Sequence, residues 1–329
     1  LRRSVYKVDA KGVKTRLTNQ EGTNSASFSA NFAYYVNRYS SARTPTVITV
    51  NETKTGKTLR TLEDNASLKE TLQTTAYSPK EFITVQTASG YELNAWIVKP
   101  AGFDPSKKYP VMMFQYSGPN SQSVLDRFEF GWEECLAAHG VITVCVDGRG
   151  TGARGEEFRK CTYLKMGDLE SKDQVAAAKA LAKQFPFIDA SRMAIWGWSF
   201  GGYNTLMSMS VGEATFKVGI AVAPPTDWHY YNTIYTERYM RTPKENAEGY
   251  ALTSPIKLAE KLTGKLLLIH GTADDNVHFM QTMDYAETLV QLGKQFDMQV
   301  YKDRNHFIMG GNTRLHLYTR MTDFILENL

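Results

Sequence analysis

Beyond residue 80 the sequence predicts an α/β fold, with a mostly parallel sheet covered by helices on both faces. Short, continuous apolar runs recur there, and longer runs with helical periodicity separate them. The runs expected as buried strands are VMMFQY, VITVCVD, MAIWGW, VGIAVAP, KLLLIHG and DMQVYKD. The runs expected as helices include DQVAAAKALAKQF, YNTLMSMSV, MQTMDYAETLVQLG and the amphipathic terminal TRLHLYTRMTDFILENL.

The first 65 residues predict short strands joined by turns: SVYKVDAKG, VKTRLT, SASFSANFAYYVNRYSS and TPTVITVNETKTGKTLRTL. Their spacing is typical of one four-stranded unit of a larger all-β array, which alone would leave much of its packing face exposed. We therefore expect residues 1–65 to be one such unit, residues 66–329 to form one α/β domain, and the chain to be part of a longer protein. LEDNASLKETLQ (Leu62–Gln73) predicts a connecting helix, and EFITVQTASGYELNAWIVKP predicts a hairpin with a Ser-Gly turn.

The composition is that of an ordinary globular protein. The 329 residues are 42% hydrophobic and 22% charged, with a formal net charge of +4. A charge this small does not favour binding to nucleic acid or to a membrane surface. No apolar run approaches the roughly 20 residues that span a bilayer. Cys135, Cys145 and Cys161 are too few and too scattered for a disulfide framework or a metal cluster.

A glycine-flanked serine in WGWSFGGYNTLM is the first candidate for catalysis. Gly197, Ser199 and Gly201 fit the G-x-S-x-G pattern, between a predicted strand and a predicted helix. Small neighbours are needed there because the serine backbone is strained at such a turn. The next N–H group, that of Phe200, would then point to where an oxyanion forms. The motif therefore predicts a nucleophile at the carboxyl edge of the sheet, against the alternative of a glycine-rich turn without chemistry.

A nucleophilic serine needs a histidine base and an acid that orients it, and in this fold class they follow in the order serine, acid, histidine. Asp274 is the first acid after the strand KLLLIHG and is preferred to the following Asp275. His306 lies just after the next strand, DMQVYKD, where the base is expected. The remaining histidines fit less well: His139, His229, His270, His278 and His316. Acyl transfer through these residues requires no metal and no cofactor.

Three further motifs leave alternatives open. DGRGTGARG matches a dinucleotide-binding pattern at Gly150, Gly152 and Gly155, but the polar stretch after it is a poor start for an apolar helix, which favours a loop near the site. Tyr116 in QYSGP either donates a hydrogen bond to the oxyanion or only packs at a strand end. The aromatic residues of PPTDWHYYNTIYTERYM either line an apolar pocket or form a packed cap helix.

Five motifs together resemble the prolyl oligopeptidase family, in its dipeptidyl peptidase IV-type branch: GWSFGGY, HGTADDNVHF, YTERYM, DGRGTG and KKYPVMMFQYSGP. The resemblance covers nearly the whole chain. It implies an α/β-hydrolase domain after an N-terminal β-propeller, of which residues 1–65 would be the last blade. It also implies a serine peptidase that removes N-terminal dipeptides, or sometimes tripeptides, when proline or alanine precedes the cleaved bond.

The resemblance implies a role for each matching residue. The implied catalytic residues are Ser199 as nucleophile, Asp274 as orienting acid, His306 as base, and Tyr116 with the Phe200 amide as oxyanion hole. The implied substrate-binding residues are Trp228, Tyr231, Tyr235 and Val277 around the proline, and Asn276 at the neighbouring carbonyl. The family often has tyrosine where this chain has Phe200, which we expect to matter little because the backbone N–H acts there.

The expected partners are peptides with proline or alanine at the penultimate position, with no nucleic acid and no membrane segment in this stretch. Family members often pair through the C-terminal region, so a homodimer is expected, and a periplasmic, cell-surface or secreted location follows from the resemblance alone. In the family, propeller glutamates bind the substrate's amino terminus, so we expect these residues alone to be a poor exopeptidase. The alternatives are a carboxylesterase or acyl-peptide hydrolase on the same scaffold, and a non-catalytic binding protein.

Overall fold

The N-terminal part of the chain forms two small antiparallel sheets. The structure, a computed structural model, describes residues 1–75 and 77–329. β1 (Tyr6–Val8) pairs with β2 (Lys14–Arg16). A four-stranded meander follows, before helix α1 (Ala66–Thr74): β3 (Thr23–Phe28), β4 (Tyr34–Ser41), β5 (Thr44–Glu52) and β6 (Thr58–Glu63). The domain boundary expected between residues 65 and 66 lies between β6 and α1 and stays a prediction.

The prediction of a connecting helix over Leu62–Gln73 is wrong about where the helix begins. Leu62 and Glu63 belong to β6, which pairs with β5. The helix begins only at Ala66, after Asn65, which has a positive φ of 53° and whose Nδ2 donates to the carbonyl of Thr46 (2.5 Å). Pairing with a neighbouring strand outweighs the local preference of Leu62 and Glu63, as tertiary context commonly does for short segments.

In the described residues, the central sheet has eight strands, and seven of them run in the same direction. The strands are β7 (Glu81–Gln86), β8 (Glu92–Val98), β9 (Tyr109–Phe114), β10 (Ile142–Asp147), β11 (Ile188–Trp198), β12 (Val218–Val222), β13 (Lys265–Gly271) and β14 (Asp297–Tyr301). Their order across the sheet is β7-β8-β10-β9-β11-β12-β13-β14, with β8 antiparallel to both neighbours. All six predicted apolar runs form strands of this sheet, so the expected α/β-hydrolase architecture is confirmed.

Helices cover both faces of the sheet and enclose a separate apolar core on each. They are α2 (Trp132–Ala138), α3 (Glu156–Lys160), α4 (Asp168–Gln184), α5 (Phe200–Val211), α6 (Thr233–Met240), α7 (Ala247–Leu252), α8 (Pro255–Leu258), α9 (Met280–Gln291) and α10 (Thr313–Asn328). One core contains side chains of α4, α5 and α9, and the other contains side chains of α2 and α10. Successive residues of β9 alternate between them, with Met113 in the first core and Met112 in the second. Within the described ranges, no helix is long and apolar enough to cross a membrane.

The strand order brings several loops to one edge of the sheet. Parallel strands end at the same edge, and the loops after β9, β11, β12, β13 and β14 begin there. Each of these loops carries a residue predicted for the site: Tyr116, Ser199, Trp228, Asp274 and His306. The fold therefore gathers, at its carboxyl edge, residues that are far apart in the sequence.

Asp126, in the loop after β9, joins the N-terminal segment to the α/β domain. Its carboxylate accepts hydrogen bonds from the Ala42 N–H (2.8 Å) and from Arg2 Nε (3.3 Å). Its backbone N–H donates to the Leu1 carbonyl (2.8 Å), and its own carbonyl accepts from the Thr23 hydroxyl (2.9 Å). One residue thus binds the start of the chain, β3 and the turn between β4 and β5.

We expect Asp126→Ala to weaken this junction. The buried N–H group of Ala42 would lose its acceptor, which costs about 1–3 kcal/mol. The midpoint of thermal unfolding, measured by calorimetry, should therefore fall by several degrees. Asp323→Ala is the matched control because Asp323 is exposed on α10. Equal midpoints for the two variants would show that Asp126 does not hold the junction.

Candidate active site

Ser199 occupies a sharp turn between β11 and α5. Its φ is positive (φ 59°, ψ −120°), which is strained for a residue that carries a side chain. The Ser199 N–H donates to the carbonyl of Val222 in β12 (2.8 Å), and the Ser199 carbonyl accepts from the Tyr203 N–H in α5 (3.0 Å). The turn has the strand–serine–helix order that the motif predicts, and it is held from both sides.

Two glycines are required at this turn because another backbone approaches too closely for a side chain. A Cβ atom at Gly197 would lie 2.6 Å from the carbonyl oxygen of Gln115, and a Cβ atom at Gly201 would collide with the same oxygen. The Gln115 side chain also donates to the Gly201 carbonyl (2.6 Å). The end of β9 therefore packs directly against the turn and brings Tyr116, the next residue, beside it.

Tyr116 and Phe200 are neighbours that each offer a hydrogen-bond donor. Phe200 is the first residue of α5, so its N–H has no partner within the helix and lies at the positive end of the helix dipole. The centroids of the two rings are 6.1 Å apart. Burial, with smaller effects of the phenols of Tyr231 and Tyr239, raises the pKa of Tyr116. The Tyr116 hydroxyl therefore stays protonated at neutral pH.

Asp274 and His306 form a buried, hydrogen-bonded pair. His306 Nδ1 lies 2.7 Å from Asp274 Oδ2, and the two residues are only 6% and 5% exposed. Because a carboxylate accepts, Nδ1 carries a hydrogen, and Nε2 is the nitrogen left to accept one from a hydroxyl. Asp274, rather than the exposed Asp275, makes this contact.

Trp198 connects the histidine loop to the serine turn. Its indole N–H donates to the backbone carbonyl of His306 (2.9 Å), and Trp198 directly precedes Ser199. The guanidinium of Arg314 lies over the same indole, 4.9 Å from its centroid. Sequence reasoning misses this role because the two partners are 108 positions apart. The position of His306 relative to Ser199 thus depends on a side chain outside the predicted three.

The carboxylate of Asp274 is stabilised in its charged form. Burial by itself would raise its pKa, but hydrogen bonds from His270 and His306 outweigh burial and hold the pKa well below its usual range. The other carboxylate oxygen, Oδ1, accepts from the N–H groups of Asn276 (3.0 Å) and Val277 (2.9 Å). A carboxylate that stays charged can orient a histidine and stabilise its protonated form.

Of the five remaining histidines, His278 is exposed, and the other four have ring nitrogens in hydrogen bonds and divide into two kinds. Three of them are bonded to other residues: His139 to Cys135, His229 to Asp227 and His316 to Tyr301. His270 is different, because its Nε2 lies 3.1 Å from Asp274 Oδ2. Asp274 is therefore shared by two histidines, of which the sequence motifs indicate only His306.

Aromatic side chains form a cluster beside the serine turn. The Trp228 ring lies 5.7 Å from Phe200, 5.9 Å from Tyr231 and 6.2 Å from Tyr235, measured between centroids. Tyr231 and Tyr235 meet edge to face at 5.3 Å. The three aromatic residues predicted to line a pocket are thus brought together, next to the residue that follows Ser199.

Asn276 and Val277 lie on the Asp274 loop. The Tyr231 hydroxyl donates to Asn276 Oδ1 (2.7 Å) and so links the aromatic cluster to this loop. Because its oxygen is engaged, Asn276 has its NH₂ group left to donate to a ligand. Val277 is fully buried, and its N–H and C=O groups bond to Asp274 and His270.

The glycine-rich loop after β10 is not arranged to bind a pyrophosphate. The Gly150 N–H donates to the Phe158 carbonyl (2.9 Å), and the Gly152 N–H donates to the Ser121 carbonyl (2.7 Å). Helix α3, which begins just after Gly155, has only five residues. The amides that would face a phosphate are used within the protein, which agrees with a loop rather than a nucleotide site.

Two protein-family models match the chain. The model of the prolyl oligopeptidase family matches residues 128–329, which is more than half of the chain. The chain belongs to the prolyl oligopeptidase family. A second model, of the dipeptidyl peptidase IV N-terminal region, matches residues 1–46. The resemblance drawn from the motifs is therefore confirmed for both parts of the chain.

Curated relatives and solved structures in the prolyl oligopeptidase family agree with this assignment. Dipeptidyl peptidase 4 of Felis catus is 40% identical over 310 residues, covering 92% of this chain and 40% of the cat protein. Probable dipeptidyl-aminopeptidase B of Podospora anserina is 39% identical over 336 residues, covering 99% of this chain and 36% of the fungal protein. The chain thus spans about 40% of the length of the curated relatives it matches.

Among solved structures, the crystal structure of Porphyromonas gingivalis dipeptidyl peptidase 4 matches this chain with a TM-score of 0.98, and the two sequences are 60% identical. The match covers all of this chain and 46% of the Porphyromonas gingivalis chain. A structure of a dipeptidyl aminopeptidase IV, described as putative, from Bacteroides ovatus is 34% identical, with a TM-score of 0.90, over 98% of this chain and 46% of that one. This chain therefore shares its fold with both solved structures.

We expect Trp198→Phe to slow the reaction of Ser199 with a fluorophosphonate by about tenfold, because losing one hydrogen bond frees the His306 backbone. The rate of covalent labelling at fixed probe concentration measures this effect. Trp132→Phe is the matched control, since the Trp132 indole also donates one hydrogen bond, to the Thr322 hydroxyl (2.8 Å), in the core beneath α10. Equal labelling rates for the two variants would argue against a special role for Trp198.

Proposed function

We propose that this member of the prolyl oligopeptidase family is a serine peptidase that removes N-terminal dipeptides after proline or alanine. The observation that carries the proposal is the buried bond between His306 Nδ1 and Asp274 Oδ2 (2.7 Å), tied through Trp198 to the strained turn of Ser199. The names of the relatives, dipeptidyl peptidase 4 and dipeptidyl-aminopeptidase B, support the class of substrate.

In the proposed reaction, the Ser199 hydroxyl attacks the carbonyl carbon of the peptide bond while His306 Nε2 takes the hydroxyl proton. Asp274 keeps His306 in the required tautomer and stabilises the imidazolium. The C–N bond then breaks, His306 gives its proton to the leaving amine, and the dipeptide remains as an ester on Ser199. A water molecule repeats the same steps and releases the dipeptide.

The oxyanion that forms in each step is bound by two donors, the Phe200 N–H and the Tyr116 hydroxyl. The Phe200 amide is the first of α5, where an anion is favoured by the helix dipole. The raised pKa of Tyr116 supports its part, because only a protonated phenol can donate. Donors of this kind act on charge that develops in the transition state and therefore raise kcat.

The aromatic cluster of Trp228, Tyr231 and Tyr235 would hold the proline ring through the half-buried Tyr231 and Tyr235, and the buried Val277 would support the pocket from the Asp274 loop. Flat aromatic faces suit a compact apolar ring, and alanine is small enough to enter the same space. The NH₂ group of Asn276, oriented by Tyr231, would donate to the substrate carbonyl next to the proline. These contacts account for a preference for proline or alanine over larger, charged side chains.

The proposal extends to a homodimer formed through the C-terminal region. Helix α10 buries Leu317, Met321 and Phe324 against the sheet. On its other side Leu315 is 71% exposed, and Phe307 in the preceding loop is 60% exposed. Exposed apolar side chains next to the terminal helix support pairing of two copies there.

Ser199→Ala should lower turnover of glycyl-prolyl p-nitroanilide by several orders of magnitude in the full-length protein, because the ester intermediate cannot form without the Ser199 hydroxyl. Release of p-nitroaniline measures the rate. Ser210→Ala is the control, since Ser210 lies on α5, the helix that follows Ser199, and its hydroxyl donates to the Leu206 carbonyl (2.9 Å). Unchanged turnover by Ser199→Ala would overturn the assignment. Cleavage of short acyl esters without cleavage of prolyl amides would instead indicate an esterase.

Tyr116→Phe should lower kcat by about 10²–10³-fold with little change in KM, because the hydroxyl acts on the oxyanion and not on the bound substrate. Steady-state kinetics with the same substrate separate the two constants. Tyr109→Phe is the matched control, because Tyr109 begins the same strand, β9, and its hydroxyl accepts from the Asp104 N–H. A normal kcat for Tyr116→Phe would show that the Tyr116 hydroxyl does not act on the oxyanion and that Tyr116 only packs at the strand end.

A further inference from the structure

His270 is a fully buried histidine with no step of its own in the proposed mechanism. It lies near the end of β13, in the apolar run KLLLIHG, four positions before Asp274. A buried imidazole lowers stability unless both ring nitrogens find partners. An apolar residue would fill this position in the strand at no such cost, so the partners of His270 indicate what it does.

Both nitrogens of His270 have partners, and these assign its tautomer. Nε2 lies 2.9 Å from the Val277 carbonyl and 3.1 Å from Asp274 Oδ2. Both of these oxygens are acceptors, so Nε2 carries the hydrogen. Nδ1 lies 2.7 Å from the Thr282 hydroxyl, which can donate to it. Both ring nitrogens are therefore bonded, and Nε2 presents its N–H to the carboxylate.

The oxygen that His270 contacts is the one that orients His306. Asp274 Oδ2 lies between His306 Nδ1 (2.7 Å) and His270 Nε2 (3.1 Å), while Oδ1 accepts two backbone N–H groups of its own loop. Without His270, one side of Oδ2 would face a buried space without a donor. The side chain could then rotate away from His306 to find one.

The ring of His270 is itself held in place from α9 and the turn before it. Thr282, in the first turn of α9, bonds to Nδ1, and the Phe279 ring packs edge to face on the imidazole at 5.6 Å. The same Nε2–H also bonds to the carbonyl of Val277 and so closes the loop that runs from Asp274. His270 thus connects a rigid strand and a helix to the carboxylate.

We propose that His270 is a positioning residue, an N–H donor that holds Asp274 Oδ2 against His306 Nδ1. The proposal rests on the proposed function, in which Asp274 orients the base. His270 touches neither substrate nor Ser199 in this role and acts only through Asp274. Its N–H is the fourth donor to a carboxylate that would otherwise have three.

The test compares His270→Leu with His270→Gln in the full-length protein. Leucine fills the space without a donor, and kcat for glycyl-prolyl p-nitroanilide should fall by about 10- to 100-fold while KM changes by less than about twofold. Glutamine offers an amide N–H near the position of Nε2 and should recover kcat to within about fivefold of the wild type. Equal kcat losses in both variants, or a rise in KM alone, would overturn the proposal.

A double-mutant cycle separates positioning from packing. In an Asp274→Asn background, His270→Leu should lower kcat by no more than about threefold, because the carboxylate that His270 holds is already gone. A purely structural role would give the same fold-loss in both backgrounds. If His270→Leu does not fold, Thr282→Val serves instead, since it removes only the hydroxyl that orients the ring. It should lower kcat by about threefold or more at unchanged KM, and an unchanged kcat would overturn the proposal.

Fluorophosphonate labelling of Ser199, followed in parallel, distinguishes the two proposals because it does not depend on the peptide. A wild-type protein that is labelled but does not cleave prolyl amides would overturn the proposed specificity alone. The labelling rates of the His270 variants would then test the positioning role, with the same ranking expected. A wild-type protein that is not labelled would overturn both proposals. Normal labelling of His270→Leu beside an active wild type would overturn the role of His270 alone.

Discussion

The close approach of three backbone segments around Ser199 is the constraint on which the site depends. The carbonyl of Gln115 occupies the space that side chains at Gly197 and Gly201 would need, so strand β9 packs directly on the turn. That packing puts Tyr116 beside Phe200 and fixes the positive φ of Ser199. Strands β11 and β12 hold the other side, since the Ser199 N–H bonds to Val222. Tyr116, Phe200 and Ser199 are therefore positioned by the central strands of the sheet.

Much of this arrangement could be predicted from the sequence, because it depends on local pattern. A strand that is buried on both faces is apolar throughout, and a strained turn beside another backbone needs glycine, as at Gly197 and Gly201. The order of Ser199, Asp274 and His306 likewise follows from where parallel strands end. The start of α1 differs from its prediction because pairing with β5, not local preference, decides the state of Glu63.

Other parts of the site could not be predicted, because they depend on which loops meet. A tryptophan before the serine and a histidine inside an apolar strand both have many ordinary uses in a core. Only the structure brings the Trp198 indole to the His306 carbonyl and the His270 ring to Asp274. These contacts hold the predicted residues in place. The sequence motifs indicate which residues belong to the candidate site but not what holds them.

The bonding of Asp274 has a consequence for how such a site changes during evolution. Ser199 is held in place through its backbone groups, by Val222 and Tyr203, so its side chain adds little to the architecture. The Asp274 carboxylate instead receives four hydrogen bonds and shapes its own loop. Drift can therefore replace the serine while the fold persists. The aspartate, with four hydrogen bonds that shape its loop, would be kept by selection for folding alone.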